Sequence, residues 1–153
     1  MFRLNRLTDY AVVVMAQMAQ RRDLVRTAPR IAEETGVPLP TVAKILNALT
    51  RGSLVASQRG AAGGYTLSRP AEQITVAEII QALEGPIALT ACVDGAPGQC
   101  EVESLCPMRG NWDKVNKAIR GALGEVTLAD MSLSFLTFGD LPVPQRSGDR
   151  KAG

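Results

Sequence analysis

Apolar residues recur at three- and four-residue intervals through the first third of the chain, the period of amphipathic helices. Ala11, Val12, Met15, Ala16 and Ala19 form one stripe, which predicts a helix from Leu7 to Gln20, capped by Thr8 and ended by Arg21-Arg22-Asp23. Thr27-Ala-Pro-Arg30 opens a second helix, Pro29 being tolerated in a first turn, and Gly36 stops it after Thr35. After the turn Val37–Pro40, the stripe Val42, Ile45, Leu46 and Leu49 predicts a third helix from Thr41 to Thr50. The period then changes: Gly52–Ser57 reads as a strand, the glycine-dense Gln58–Gly64 as a turn, and Tyr65–Leu67 as the returning strand. Thr75 caps a fourth helix, Val76–Leu83, with Glu78 completing a capping box and Gly85-Pro86 ending it. Residues 87–107 read as a loop. Beyond it Trp112, Val115, Ala118, Ile119 and Ala122 make a helical stripe within Asn111–Leu123. A helix so far from the other elements must bury that stripe, and its counterpart in a second subunit is the economical partner, which predicts a homodimer. Thr127-Leu-Ala-Asp130 opens a short helix to about Leu136, and the polar tail Gln145–Gly153 reads as disordered.

Helix, short glycine-containing turn, helix is the spacing of a helix-turn-helix unit, and a hairpin directly after it is the wing of a winged-helix domain. The predicted fold is therefore mainly α with a small β-hairpin: a winged helix-turn-helix domain plus a long C-terminal dimerisation helix. Its parts are residues 1–84 for DNA binding, 85–107 for a cysteine-bearing loop, 108–138 for the dimerisation and short helices, and 139–153 for a flexible tail. On the third helix Thr41, Lys44, Asn47 and Ala48 lie away from the apolar stripe, and such small or hydrogen-bonding groups suit a major groove. Thr41 and Lys44 lead as contacts to a double-stranded operator. Arg59 at the hairpin tip can reach phosphate or a narrow minor groove, and glycines such as Gly60 let the backbone approach closely. The competing readings are a protein-binding trio of helices and a purely structural hairpin.

Charge changes this picture by locating a partner. Residues 1–70 carry ten Lys/Arg against four Asp/Glu, and residues 71–153 carry seven against eleven, beneath an overall +2. The basic half coincides with the candidate reading head, as phosphate binding requires. With 46% apolar residues and 4% aromatics among 153, the core rests on aliphatic side chains, as in small helical proteins. No apolar run approaches the roughly 18 residues of a membrane span, and the N-terminus has no signal-peptide pattern, so a cytoplasmic protein without a membrane partner is expected. The chain contains no histidine. That removes histidine triads and His-containing zinc sites, no other nucleophile–base pairing stands out, and Gly63-Gly64 is not a phosphate loop; an enzyme is not expected.

The candidate chemistry lies in three cysteines, Cys92, Cys100 and Cys106. An odd number in a chain expected to be cytoplasmic argues against a disulfide framework. The spacing is not a zinc pattern, yet three thiolates from a flexible loop can converge on an iron–sulfur cluster, zinc or copper(I). Redox-active thiols and simple buried cysteines are the alternatives. A fourth protein ligand would be a carboxylate, amide or backbone group: Asp94, Glu101 and Glu103 are local, and Asp9 is the remote candidate, supplied across a dimer. The plain reading of Asp9 is a first-turn carboxylate favoured by the helix dipole.

Leu7-Thr-Asp-Tyr-Ala11, Ile31-Ala to Leu49, Arg59-Gly to Gly63-Gly-Tyr65, Ala82-Leu-Glu-Gly-Pro86, the three cysteines and Thr127-Leu-Ala-Asp130 together resemble the bacterial winged-helix regulators of the IscR, NsrR and RirA type, which sense iron–sulfur clusters or nitric oxide. The sequence looks closest to the branch that regulates the SUF cluster-assembly system. The resemblance spans Phe2 to about Met131 and implies a homodimer crossed at the long helix. It also implies a repressor whose operator affinity is controlled by an iron–sulfur cluster on Cys92, Cys100 and Cys106, with cysteine-based redox or nitric-oxide sensing on the same scaffold as the alternative. Some members use a histidine three residues after the last cysteine, where this chain has Arg109; others use an acidic residue early in the first helix of the opposite subunit, and Asp9 matches it. The resemblance thus implies Asp9 as fourth ligand, Glu103 in reserve, and a [2Fe–2S] cluster favoured over [4Fe–4S].

Overall fold

Asn5 starts the first helix: its backbone is extended while its side chain accepts the Leu7 N–H at 3.1 Å. The structure, a computed structural model, describes residues 3–93, 100–102, 105–108 and 110–132. α1 (Arg6–Ala19) buries Ala11, Val14, Met15, Ala16 and Met18. Thr8 is not its cap. It lies inside the first turn, wholly buried, with its hydroxyl donated to Glu84 Oε1 at 2.5 Å, so Asn5 is left to satisfy the free N–H.

α2 (Ala28–Thr35) starts and stops as expected. Thr27 accepts the Arg30 N–H, and Gly36 at φ +73° closes the helix on the Ala32 carbonyl, a conformation that costs glycine nothing. α3 (Leu39–Arg51) begins two residues earlier than Thr41, because Pro40 in a first turn forfeits only an N–H without a helical acceptor. It ends with Ser53 at φ +59°; the Ser53 N–H meets the Thr50 carbonyl at 3.1 Å and the Leu54 N–H meets that of Leu49 at 3.0 Å. That closure occupies residues 52–54, so the strand expected from Gly52 begins only at Val55.

β1 (Val55–Gln58) pairs antiparallel with β2 (Gly64–Leu67), Val55 opposite Leu67 and Gln58 opposite Gly64. Arg26 adds a single bridge to β2 from the α1–α2 connection, its N–H donating to the Tyr65 carbonyl at 3.1 Å and its carbonyl accepting the Tyr65 N–H at 2.8 Å. A 3-10 turn at Ala71–Gln73 then leads into α4 (Val76–Glu84). Its capping box is complete: Thr75 Oγ1 accepts the Glu78 N–H at 3.2 Å, and Glu78 Oε2 accepts the Thr75 N–H at 2.9 Å.

One core joins these parts. Met15 and Val14 of α1, Ile31 of α2, Val42, Ile45, Leu46 and Leu49 of α3, Leu54 and Val55 at the wing, Ile74 and Ile79 are all buried in it. α4 has a second face, where Val76, Ala77 and Ile80 pack with Ile87 against Ile119 and Leu123 of α5 (Asn111–Glu125). Gly52 permits the end of α3 to lie against α4, since a Cβ there would stand 2.9 Å from that of Ala82. After α5 the chain returns: the Val126 carbonyl accepts the Val76 N–H at 2.9 Å and the Leu128 N–H donates to the Ile74 carbonyl at 2.8 Å. Thr127 and Asp130 cap each other reciprocally over the helical residues 128–132, and Leu128 is buried in the main core. The continuation expected to Leu136 and the polar tail lie outside the described residues. Among the described residues no helix is long and apolar enough to cross a membrane.

Candidate nucleic-acid interface and cysteine segment

α3 turns its apolar stripe wholly inward, and that fixes what faces out. Lys44 and Asn47 are exposed and Thr41 is half-buried, all on the side away from the core. Ala48, expected on this outer side, is only 7% exposed; a residue adjacent to Leu49 is carried under by the width of the buried stripe. Arg51 is exposed one turn beyond Asn47 and extends the same row. It is a residue the sequence reading missed, although its spacing of seven from Lys44 was the signal. Arg59 and Gly60 are exposed at the wing tip.

The wing's root is fastened to the helix-turn-helix by Arg26, which is 5% exposed. Its Nη1 donates to the Gln17 and Met18 carbonyls at 3.2 and 3.3 Å, at the end of α1. Its Nε stands 3.1 Å from Glu34 Oε2 on α2, a close ion pair whose N–H is not aimed well enough for a hydrogen bond. Glu34 also accepts from Arg30 Nε at 2.8 Å, and this bond holds the Glu34 carboxyl below the usual range despite burial. Arg26 was also missed, because a lone arginine outside a periodic stripe carries no sign of burial.

The cysteines lie between α4 and α5, Cys92 being the first of them. All three are free thiols and half-buried, and Cys92 Sγ lies 3.2 Å from Thr90 Oγ1. The start of this segment is held by Asn116 of α5, which is buried with both ends used: Nδ2 donates to the Ile87 carbonyl at 3.0 Å and Oδ1 accepts the Leu89 N–H at 3.1 Å. Asp9 is exposed on α1, and its carboxylate has no partner among the described residues. Glu101 is exposed, while Asp94, Glu103 and Arg109 lie outside the described residues. Within one chain the described Cys, Asp and Glu residues form no cluster of three placed to hold a metal. In kind the donor set fits an iron–sulfur group: free thiols, none consumed by a disulfide, partly shielded and next to exposed chain.

The profile of the Rrf2 family, described as an iron-dependent transcriptional regulator, matches residues 4–133. The chain belongs to the Rrf2 family. It is thus a DNA-binding transcriptional regulator of the IscR-like kind, and this family is one of regulators, not enzymes. This Rrf2 protein is 31% identical to protein aau3 of Rhizobium meliloti over 151 residues, covering 95% of this chain and 98% of that one. Among solved structures, it is similar to T. potens IscR, with a TM-score of 0.65, 29% identity and 93% of each chain covered. It is also similar to CymR, the global cysteine regulator of B. subtilis, with a TM-score of 0.66 and 25% identity, over 88% of this chain and 98% of that one.

Proposed function

We propose that this chain is a homodimeric repressor whose affinity for a double-stranded operator is set by an iron–sulfur cluster, and that it controls cluster-assembly genes of the SUF type. The observation that carries the reading is three free, half-buried cysteines in a histidine-free chain, on the segment that leaves α4, which packs against α3. Thr41, Lys44 and Asn47 of α3, with Arg59 and Gly60 of the wing, form the DNA face. Cys92, Cys100 and Cys106 supply three thiolates to a cluster, [2Fe–2S] favoured over [4Fe–4S], and Asp9 of the partner subunit supplies the fourth ligand. When bound, such a cluster offers redox- and oxidant-sensitive ligation. To act as a switch it must favour one placement of α3 over another, since equal binding to both shifts nothing.

The test is an anaerobic visible spectrum with iron and acid-labile sulfide per monomer, for the native chain and for Cys92→Ala. Stoichiometric iron and sulfide, lost in Cys92→Ala while the far-ultraviolet circular dichroism stays native, is the expected result. Unchanged cluster content in the variant removes the assignment, and operator affinity indifferent to cluster removal ends the regulatory claim. Operator affinity should also fall steeply with salt, and Lys44→Ala, if Lys44 meets a phosphate, should lower the slope of log K against log salt by about 1.

A second reading is thiol or nitric-oxide sensing on the same scaffold. What favours it is the likeness to a cysteine regulator together with the half-buried free thiols. Colourless, iron-free protein that resists reconstitution, with operator binding altered by thiol oxidation, is its signature.

A further inference from the structure

Glu84 is the last residue of α4, and its carboxylate faces α1, not solvent alone. Oε1 accepts the Asn5 backbone N–H at 2.9 Å and the Thr8 hydroxyl at 2.5 Å. Thr8 is wholly buried, so its hydroxyl depends on this acceptor, and an unmet buried hydroxyl is costly. A charged acceptor makes both bonds stronger than neutral ones. The same turn carries Asp9, whose own N–H meets the Asn5 carbonyl at 3.2 Å. On its other side Glu84 is followed by Gly85-Pro86 and the start of the cysteine segment, where Ile87 is held by Asn116. One carboxylate therefore fastens the turn that bears Asp9 to the point where the cysteine segment leaves the domain.

We propose that Glu84 is the positioning residue for Asp9: it locks the first turn of α1 onto the end of α4, so that the Asp9 carboxylate is presented in a fixed direction toward the cluster of the other subunit. This rests on the reading of Asp9 as fourth ligand. Glu84 acts through the contacts of its Oε1 with Asn5 and Thr8. Groups that orient a metal ligand typically change affinity by roughly 10- to 100-fold when removed. Glu84→Ala should accordingly speed cluster loss to a chelator by about that factor and shift the visible spectrum toward that of Asp9→Ala.

The experiment compares full-length native protein, Glu84→Ala, Glu84→Gln, Thr8→Val and Asp9→Ala, reading the anaerobic visible spectrum, the rate of cluster loss to a chelator, and, in the apo-proteins, amide hydrogen exchange over residues 5–9. Glu84→Gln keeps one neutral acceptor and should fall between native and Glu84→Ala. Thr8→Val removes only the hydroxyl and should follow the same direction, which guards against a simple failure of Glu84→Ala to fold. The double variant Asp9→Ala, Glu84→Ala should lose its cluster no faster than Asp9→Ala alone, since both act through one ligand. Faster exchange over residues 5–9, with an accelerated loss absent from the Asp9→Ala background, supports the assignment. Native spectrum and native loss rate in Glu84→Ala and Thr8→Val overturn it, while an effect of Asp9→Ala in the same series keeps the fourth-ligand reading standing. A cluster indifferent to Asp9→Ala sinks that reading and the positioning role with it.

Discussion

Gly64 opens β2 at φ +156°, and a Cβ there would stand 2.6 Å from the Arg26 carbonyl oxygen and 2.9 Å from Val25 Cγ1. The first of these atoms is backbone, part of the bridge between Arg26 and Tyr65, so it cannot swing aside as a side chain would. Strained backbone of this kind costs other residues of order 1–3 kcal/mol, before any clash is added. Gly64→Ala should lower the thermal midpoint accordingly and weaken operator binding, because the bridge that roots the wing on the helix-turn-helix is displaced. Calorimetry with a parallel operator titration checks this; a native midpoint would show that the close approach is dispensable. Asn116 makes the complementary point about burial. Its amide is taken out of water with both ends bonded, so what looks in sequence like a polar interruption of an apolar stripe is the clamp on the start of the cysteine segment.

At the scale of elements, three carboxylates support helices, Glu78 and Asp130 at a helix start and Glu34 near the end of α2. At Glu78 burial pushes the carboxyl up, but the Thr75 backbone N–H and Arg69, 2.7 Å away, outweigh it and hold it below its ordinary 4.5. Glu34 is lowered chiefly by Arg30, and Asp130 chiefly by the Thr127 N–H. In each case the folded pKa is depressed, so on acidification the unfolded chain takes up the proton first. The stabilisation is complete above the ordinary carboxylate range and is lost as pH falls through the folded values. The thermal midpoint should therefore be nearly flat down to about pH 5 and drop below it. Glu78→Gln should flatten the acid limb; an unaltered limb in that variant would strip the capping carboxylate of this role. The capping chemistry is also what made elements legible. α2 and α4 were readable nearly to the residue because Thr27, Gly36, Thr75 and Glu78 each have one local function. The start of α1 and the start of β1 were not, because they are decided by distant or cooperative contacts, Thr8 with Glu84 and the closure of α3 through Ser53.

For the whole molecule, the consequence of this architecture is an unfinished surface. α5 meets its own chain through Asn116, Ile119 and Leu123, yet Trp112 remains 42% exposed and Val115 44%, with Ala118 and Ala122 exposed beside them. The sequence places these four in one stripe with Ile119, which packs within its own chain; periodicity cannot say whether the partner is the same chain or another. The three cysteines could be picked out from the sequence, but what completes their ligand set could not, and among the described residues of one chain Cys, Asp and Glu form no cluster of three placed to hold a metal. A twofold pairing of α5 with its copy would cover the apolar row with itself, and the proposed ligation of the cysteines by the partner's Asp9 requires such a dimer. Val115→Glu should break this pairing, because placing an unpaired charge in an apolar interface costs roughly 3–5 kcal/mol, a hundredfold or more in the dimer constant. Sedimentation equilibrium reads the dimer directly, and cluster content reads the trans ligand. A monomer that still retains its cluster would mean that every ligand comes from one chain. A dimer untouched by the substitution would mean that α5 faces something other than its copy. If dimer and cluster are lost together, cluster binding depends on the pairing of α5.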